Sequence, residues 1–144
     1  MNPTCIGIYG KSNTGKTSLI VDIIKKLSDE EIKVATIKIT NKEIGMDRED
    51  KDTWKHKTAG AELVVFSSAT DTDFLINRKI RTNDILNHIG KFGKYDIIII
   101  EGANEQNIPK IRLGDIKKRQ NTIYTYTGDF DEVIKIIKNI IKER

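Results

Sequence analysis

The chain is 144 residues long, 38% apolar and 32% charged, with one cysteine, two prolines and a formal net charge of +4. That length suits a single domain spanning residues 1–144 around one core, and no membrane-spanning helix is expected, because no apolar run reaches the roughly 18 residues of a span. The lone Cys5 excludes an internal disulfide or a cysteine zinc site and fits a reducing cytoplasm, while scattered basic residues such as Lys117-Lys118-Arg119 lack the interleaved aromatics of a nucleic-acid surface.

No charged-then-apolar leader opens the chain. "TCIGIY" (4–9) reads as a short buried strand ending at Gly10, and "TSLIVDIIKKL" (17–27) places Leu19, Ile20, Ile23, Ile24 and Leu27 at helical spacing. "KVATIKI" (33–39) alternates as a second strand. "KDTWKHKTAGA" (51–61) reads as a short helix halted by Gly60, and "ELVVFS" (62–67) as another strand. "DFLINRKI" fits a strand or hairpin arm, and "TNDILNHIGKF" a short helix with Thr82 at its N-cap. "YDIIIIE" and "NTIYTYT" follow as strands. The last helix begins near Asp131, with Val133, Ile136, Ile137 and Ile140 on one face. Its acids lie early and its lysines late, which suits the helix dipole. Strands alternating with helices predict an α/β fold with a mainly parallel sheet flanked by helices on both faces.

Between the first strand and the first helix stands "GKSNTGKT", Gly10 to Thr17, which is the P-loop pattern G-x-x-x-x-G-K-[ST]. Gly10 and Gly15 let the backbone turn tightly and approach a phosphate without a Cβ in the way. The backbone N–H groups of this loop, from Lys11, Ser12, Asn13 and Thr14 through to Ser18, can cradle an anion at the positive end of the following helix. Lys16 can bridge the β- and γ-phosphates of a nucleoside triphosphate, and the Thr17 hydroxyl can ligate Mg²⁺. Lys11 stands where one class of P-loop dimers places a lysine that reaches the partner's nucleotide; it also reads as a solvated lysine beside an anionic ligand.

Magnesium bound to a phosphate prefers carboxylate oxygens as its protein ligands. Glu101 closes the "IIII" strand, and ligands of open α/β sheets collect at the carboxyl ends of strands, so this acid is expected to face the metal and γ-phosphate. A second acid is expected from "GMDREDKD", where Asp47, Asp50 and Asp52 are equal candidates on spacing. Asn41-Lys42 begins like the guanine-reading N-K-x-D, but Ile44 stands in the aspartate position. His56 and His88 are isolated and support neither a metal site nor a catalytic dyad. Asp129 can serve guanine recognition or cap the last helix, with Glu132 three residues on.

The ordered set "GKSNTGKT", "ATIKIT", "MDREDKDTWKHKTAGA" and "IIIIEGANEQNIPKI" resembles the molybdopterin-guanine dinucleotide biosynthesis protein B (MobB) family. Lys38, Asp47, Lys51, Asp52, Thr53, Ala59-Gly60-Ala61, Glu101-Gly102 and Pro109-Lys110 fall on that family's pattern in order. The resemblance covers residues 4–67 and 96–113. It implies a GTP-binding P-loop protein with weak GTPase activity, a homodimer that assists the nucleotidyltransferase attaching GMP to molybdopterin. It also selects Asp47 from the acid cluster, so that Thr17, Asp47 and Glu101 become the implied Mg²⁺ neighbours and Lys16, Asp47 and Glu101 the implied catalytic set. The chain departs from the family where I-K-H-T-H is "IKITNK" and E-G-F-K is "EGAN". Those changes leave the phosphate and metal residues in place and alter what surrounds them.

Two other functions fit the same loop. An ATP-dependent ligase or kinase of the dethiobiotin synthetase type resembles the chain in its P-loop, in a lysine ending the second strand and in E-G-A after a strand. A nucleotide-switched adaptor would use the same residues without significant turnover.

Overall fold

A computed structural model describes residues 3–143. The chain divides into two compact units, one formed by the chain up to Thr40 and from Thr82 onward, the other by Asn41–Arg81.

The larger unit contains β1 (Cys5–Gly10), α1 (Lys16–Asp29), β2 (Val34–Lys38), then α3 (Thr82–Ile89), β5 (Ile97–Glu101), β6 (Lys110–Leu113), β7 (Thr122–Tyr126) and α4 (Phe130–Lys142). The smaller unit contains α2 (Asp52–Ala59), β3 (Leu63–Ser67) and β4 (Thr72–Ile76). Five strands pair in parallel in the order β2-β5-β1-β6-β7. From β1 the chain passes through α1 to the edge strand β2, and later fills β5 between them before adding β6 and β7 on the other side. The switch point therefore lies beside β1, at the carboxyl end where the Gly10–Thr17 loop begins.

Alternation along the strands divides the core in two. Ile6, Ile8, Ile97, Ile99, Ile111 and Leu113 point to one face, where α1 packs through Leu19, Ile20, Ile23 and Leu27 and α4 through Val133, Ile134 and Ile137. Ile98 and Ile100 point to the other face and meet Leu86 of α3, Ala103 and Ile108. All four isoleucines of β5 are buried, each contributing about 1.5–3 kcal/mol. Helices flank both faces, as the sequence pattern predicts.

Two elements differ from what the sequence pattern predicts. The strand read at 62–67 does not join the parallel sheet; it pairs antiparallel with β4, Leu63 opposite Ile76 and Val65 opposite Phe74. Strand β6 is not among the predicted elements: it is only four residues long, Lys110 to Leu113, too short for its alternation to announce it. Cys5 is half-buried against the Ile98–Ile100 side of the core, and burial raises its thiol pKa.

Candidate functional site

The P-loop grows out of the central strand of the sheet. Gly10 ends β1 with no room for a side chain: a Cβ there would lie 2.8 Å from the Leu113 carbonyl oxygen and 3.1 Å from Thr14 Oγ1. Asn13 and Gly15 both take left-handed backbone angles, φ 64 and 86, and Thr14 Oγ1 donates to the Lys11 carbonyl at 2.7 Å. These contacts close the loop on itself. Gly15 then serves as N-cap of α1 without a side-chain cap, and the first turn of that helix holds no acid. By contrast, α2 and α4 both carry acids in their first turns. The first turn of α1 thus supplies no anion of its own to its positive end, while Lys11, Ser12, Asn13, Thr14, Gly15, Thr17 and Ser18 are exposed around it.

Lys16 turns back over the loop. Its Nζ donates to the Gly10 carbonyl at 3.2 Å and lies 3.7 Å from Glu101 Oε1. The neighbouring backbone explains why Glu101 stands there. Gly102 has φ +87, its N–H donates to the Ile8 carbonyl at 2.9 Å, and a Cβ on it would fall 2.8 Å from the Ile39 carbonyl oxygen. Only glycine allows β5 to stop and turn at that point, so the carboxylate is held at the strand rim beside the loop. Lys38, the last residue of β2, pairs with Glu101 in the parallel register and brings its Nζ to 3.9 Å from the same Oε1.

Asp47 belongs to the smaller unit. Its Oδ1 accepts from Arg48 N at 3.0 Å and from Thr53 Oγ1 at 3.1 Å, while Oδ2 is buried without a hydrogen-bond partner. With Lys51, Asp52, Thr53 and Phe66 it lines a cavity of about 670 Å³. An unsatisfied buried carboxylate oxygen is costly unless a cation or donor meets it. Thr17 and Glu101 in the larger unit, and Asp47 in the smaller, each offer oxygen atoms of the kind that Mg²⁺ takes as ligands. Among the described residues no three His, Cys, Asp or Glu side chains gather into a metal cage.

The remaining candidates occupy other roles. Asp129 caps α4, its Oδ1 accepting from Glu132 N at 3.1 Å. His88 Nδ1 lies 2.7 Å from the Asp84 carbonyl oxygen within α3, and His56 is exposed on α2. Sequence reasoning does not see the brace behind the site. Lys110 is fully buried, and its Nζ donates to three carbonyls, those of Glu105, Ile108 (2.8 Å) and Gln120 (2.7 Å). The Arg119 guanidinium lies 4.6 Å from the centre of the Tyr9 ring and donates to the Ala103 carbonyl at 2.8 Å. Together they fasten the segment that follows Glu101 onto β1 and β6. A lysine after a proline carries no local sign of this role; only tertiary placement gives it three carbonyls.

Residues 5–139 match the model of the family described as molybdopterin guanine dinucleotide synthesis protein B, MobB. The chain belongs to the MobB family. A Methanocaldococcus jannaschii protein provisionally named as a molybdopterin-guanine dinucleotide biosynthesis adapter protein is 33% identical over 146 residues, covering 92% of this chain and 59% of that protein. The adapter protein of the same name from Haemophilus influenzae is 32% identical over 111 residues, covering 75% of this chain and 61% of that protein. The chain thus spans about three-fifths of the length of these curated relatives. The crystal structure of Bacillus subtilis MobB superposes with a TM-score of 0.72 at 18% identity, covering 98% of this chain and 99% of that one. A MobB homolog from Bacillus stearothermophilus gives 0.67 at 17% identity over the full length of both chains. The MobB fold is the P-loop NTPase fold described above, and the family's business is molybdopterin guanine dinucleotide biosynthesis.

Proposed function

We propose that this chain binds GTP with Mg²⁺ in its Gly10–Ser18 loop, hydrolyses it slowly, and acts as a homodimeric adapter for the nucleotidyltransferase that attaches GMP to molybdopterin. The observation that carries the nucleotide reading is the convergence of Lys16 and Glu101 at the uncapped, acid-free start of α1. A cation and a carboxylate side by side at a helix N-terminus suit a phosphate together with its counter-ion.

In this reading the loop N–H groups and Lys16 hold the β- and γ-phosphates, and the Thr17 hydroxyl, Asp47 and Glu101 hold Mg²⁺ directly or through water. Bound there, Mg²⁺ would neutralise charge on the phosphate oxygens as hydrolysis proceeds. Asp47 enters on the family resemblance and on its unsatisfied Oδ2. No strong general base stands among the proposed site residues, so turnover is slow until a partner completes the site.

The adapter role follows the names of the relatives, and the dimer has a surface to support it. Leu63, Val65, Phe74 and Ile76 are paired across the β3–β4 hairpin and each is about half exposed, 45–52%. Apolar groups gathered on one sheet face and rimmed by polar residues mark an interaction surface. The deciding experiment is calorimetric titration of GTP and then ATP, with Mg²⁺, into the purified protein. Preference for GTP supports this reading, whereas preference for ATP keeps the P-loop and removes the guanine nucleotide from the function.

A further inference from the structure

The charge arrangement around Glu101 contains one cation more than the P-loop requires. Lys38 and Lys16 flank a single carboxylate oxygen, at 3.9 and 3.7 Å. The two lysines sit on opposite sides of β5, because Glu101 is in register with Lys38 on β2 and with Ile8 on β1. Glu101 is largely covered, its side chain 16% exposed, whereas Lys38 is 71% exposed. So open an ion pair contributes little to folding, since side-chain entropy and water cancel most of the attraction. Lys38 is therefore poorly explained as a structural residue. Two ammonium groups against one carboxylate leave a surplus positive charge at the strand rim, beside the mouth of the phosphate loop.

We propose that Lys38 is a second phosphate-binding cation of this site, one that contacts the terminal phosphate and so separates nucleoside triphosphate from diphosphate. The inference rests on the nucleotide reading of the P-loop. Without ligand, both ammonium groups lie within 4 Å of Glu101 Oε1. With a triphosphate and its counter-ion bound, the carboxylate has a stronger partner, and both ammonium groups turn to phosphate oxygens. Lys16 is fixed by its own loop and serves the β- and γ-phosphates. Lys38, on a strand edge with a free stem, reaches the outermost phosphate from the opposite side.

The same contact assists hydrolysis. The oxygen of a water forms a bond to the γ-phosphorus, the bond from that phosphorus to the bridging oxygen breaks with its electron pair passing to the diphosphate, and a water proton passes to the released phosphate. Negative charge is spread over the γ-oxygens throughout, so a cation placed there stabilises the transition state without a general base.

The test compares wild type, Lys38→Ala and Lys38→Arg by titration with GDP and with a non-hydrolysable GTP analogue, both with Mg²⁺, and by GTP turnover. Lys38→Ala should lower affinity for the triphosphate analogue by about tenfold and leave GDP affinity within about twofold. Turnover should fall further than binding, and Lys38→Arg should restore most of both. An unchanged ratio of triphosphate to diphosphate affinity with unchanged turnover overturns the role of Lys38 while the P-loop reading stands. A wild type that binds neither nucleotide overturns that reading and this inference with it. An equal loss for GDP and the triphosphate analogue, unrescued by arginine, shows a merely structural lysine and also overturns the proposal.

Discussion

Lys16 Nζ lies within reach of two oxygens at once, 3.2 Å from the Gly10 carbonyl and 3.7 Å from Glu101 Oε1. The P-loop lysine is thus poised by its own loop and by the acid of the neighbouring strand. Replacing it with alanine removes charge-assisted hydrogen bonds worth about 1.5–3 kcal/mol to a phosphate, so nucleotide affinity should fall by about tenfold to a hundredfold. The loss in folding stability should stay below about 1 kcal/mol, because the ion pair it breaks is loose and partly solvated. Calorimetric titration of nucleotide, paired with chemical denaturation, separates the two effects. Unchanged affinity would sink the P-loop assignment.

Asp47 tests the metal. Asparagine in its place keeps one oxygen to accept from Arg48 N and Thr53 Oγ1 and replaces the unsatisfied, charged Oδ2 by an amide nitrogen. The ligand-free protein should therefore be as stable as wild type or slightly more so, within about 1 kcal/mol. Magnesium-dependent GTP binding should weaken by about tenfold or more, because a neutral amide is a poor partner for a hard divalent cation. Titrating Mg²⁺ at fixed GTP measures the second effect. If Mg²⁺ dependence matches wild type, Asp47 does not approach the metal.

The parts of this molecule that are legible in the sequence are those where local chemistry decides the outcome. "GKSNTGKT" is such a case, since the glycines, the lysine and the helix that follows each have a local reason to be there. "IIII" is another, because a strand buried on both faces has no polar side to show. Strand β6 is hidden for the opposite reason: its Lys110 would be solvent-facing by any local rule, and only the carbonyls of Glu105, Ile108 and Gln120 make its burial tolerable. The β3–β4 hairpin is local yet only partly legible: "DFLINRKI" offers a hairpin arm, but "ELVVFS" alone fits a parallel or an antiparallel strand equally well. Lys38 reads as the end of a strand, and its nearness to Glu101 depends on a register that spacing does not reveal.

The hairpin face supplies a prediction for assembly. Val65 stands opposite Phe74, with Leu63 opposite Ile76 on the same face. A charge in the middle of that face, as in Val65→Glu, removes apolar contact and places a carboxylate in any interface formed there, so a dimer using it should weaken by about tenfold or more. Folding of the chain should change little, because Val65 is 49% exposed. Analytical ultracentrifugation over a concentration series should show a dimer for wild type and a shift to monomer for the variant. An identical distribution for both would remove this face from the assembly.

Lys110 connects stability to pH. Burial pushes its pKa below the ordinary lysine value of 10.5, with the nearby Glu105 carboxylate opposing that shift and Arg119 adding to it. In the window between the folded value and 10.5 the unfolded chain holds more protons on this group than the folded chain does. The contribution of Lys110 to stability therefore rises with pH through that window, and below it the folded protein carries the full cost of burying the charge. Lys110→Met removes this slope along with the charge, so its stability should gain less than that of wild type between neutral and alkaline pH. The same substitution leaves three carbonyls without their donor, and should cost about 3 kcal/mol at neutral pH despite the loss of a buried charge. Denaturant titrations of both proteins at several pH values from 7 upward measure the two effects together. A variant as stable as wild type at pH 7 would show that the carbonyls of Glu105, Ile108 and Gln120 find other donors, and that the segment after Glu101 does not depend on Lys110.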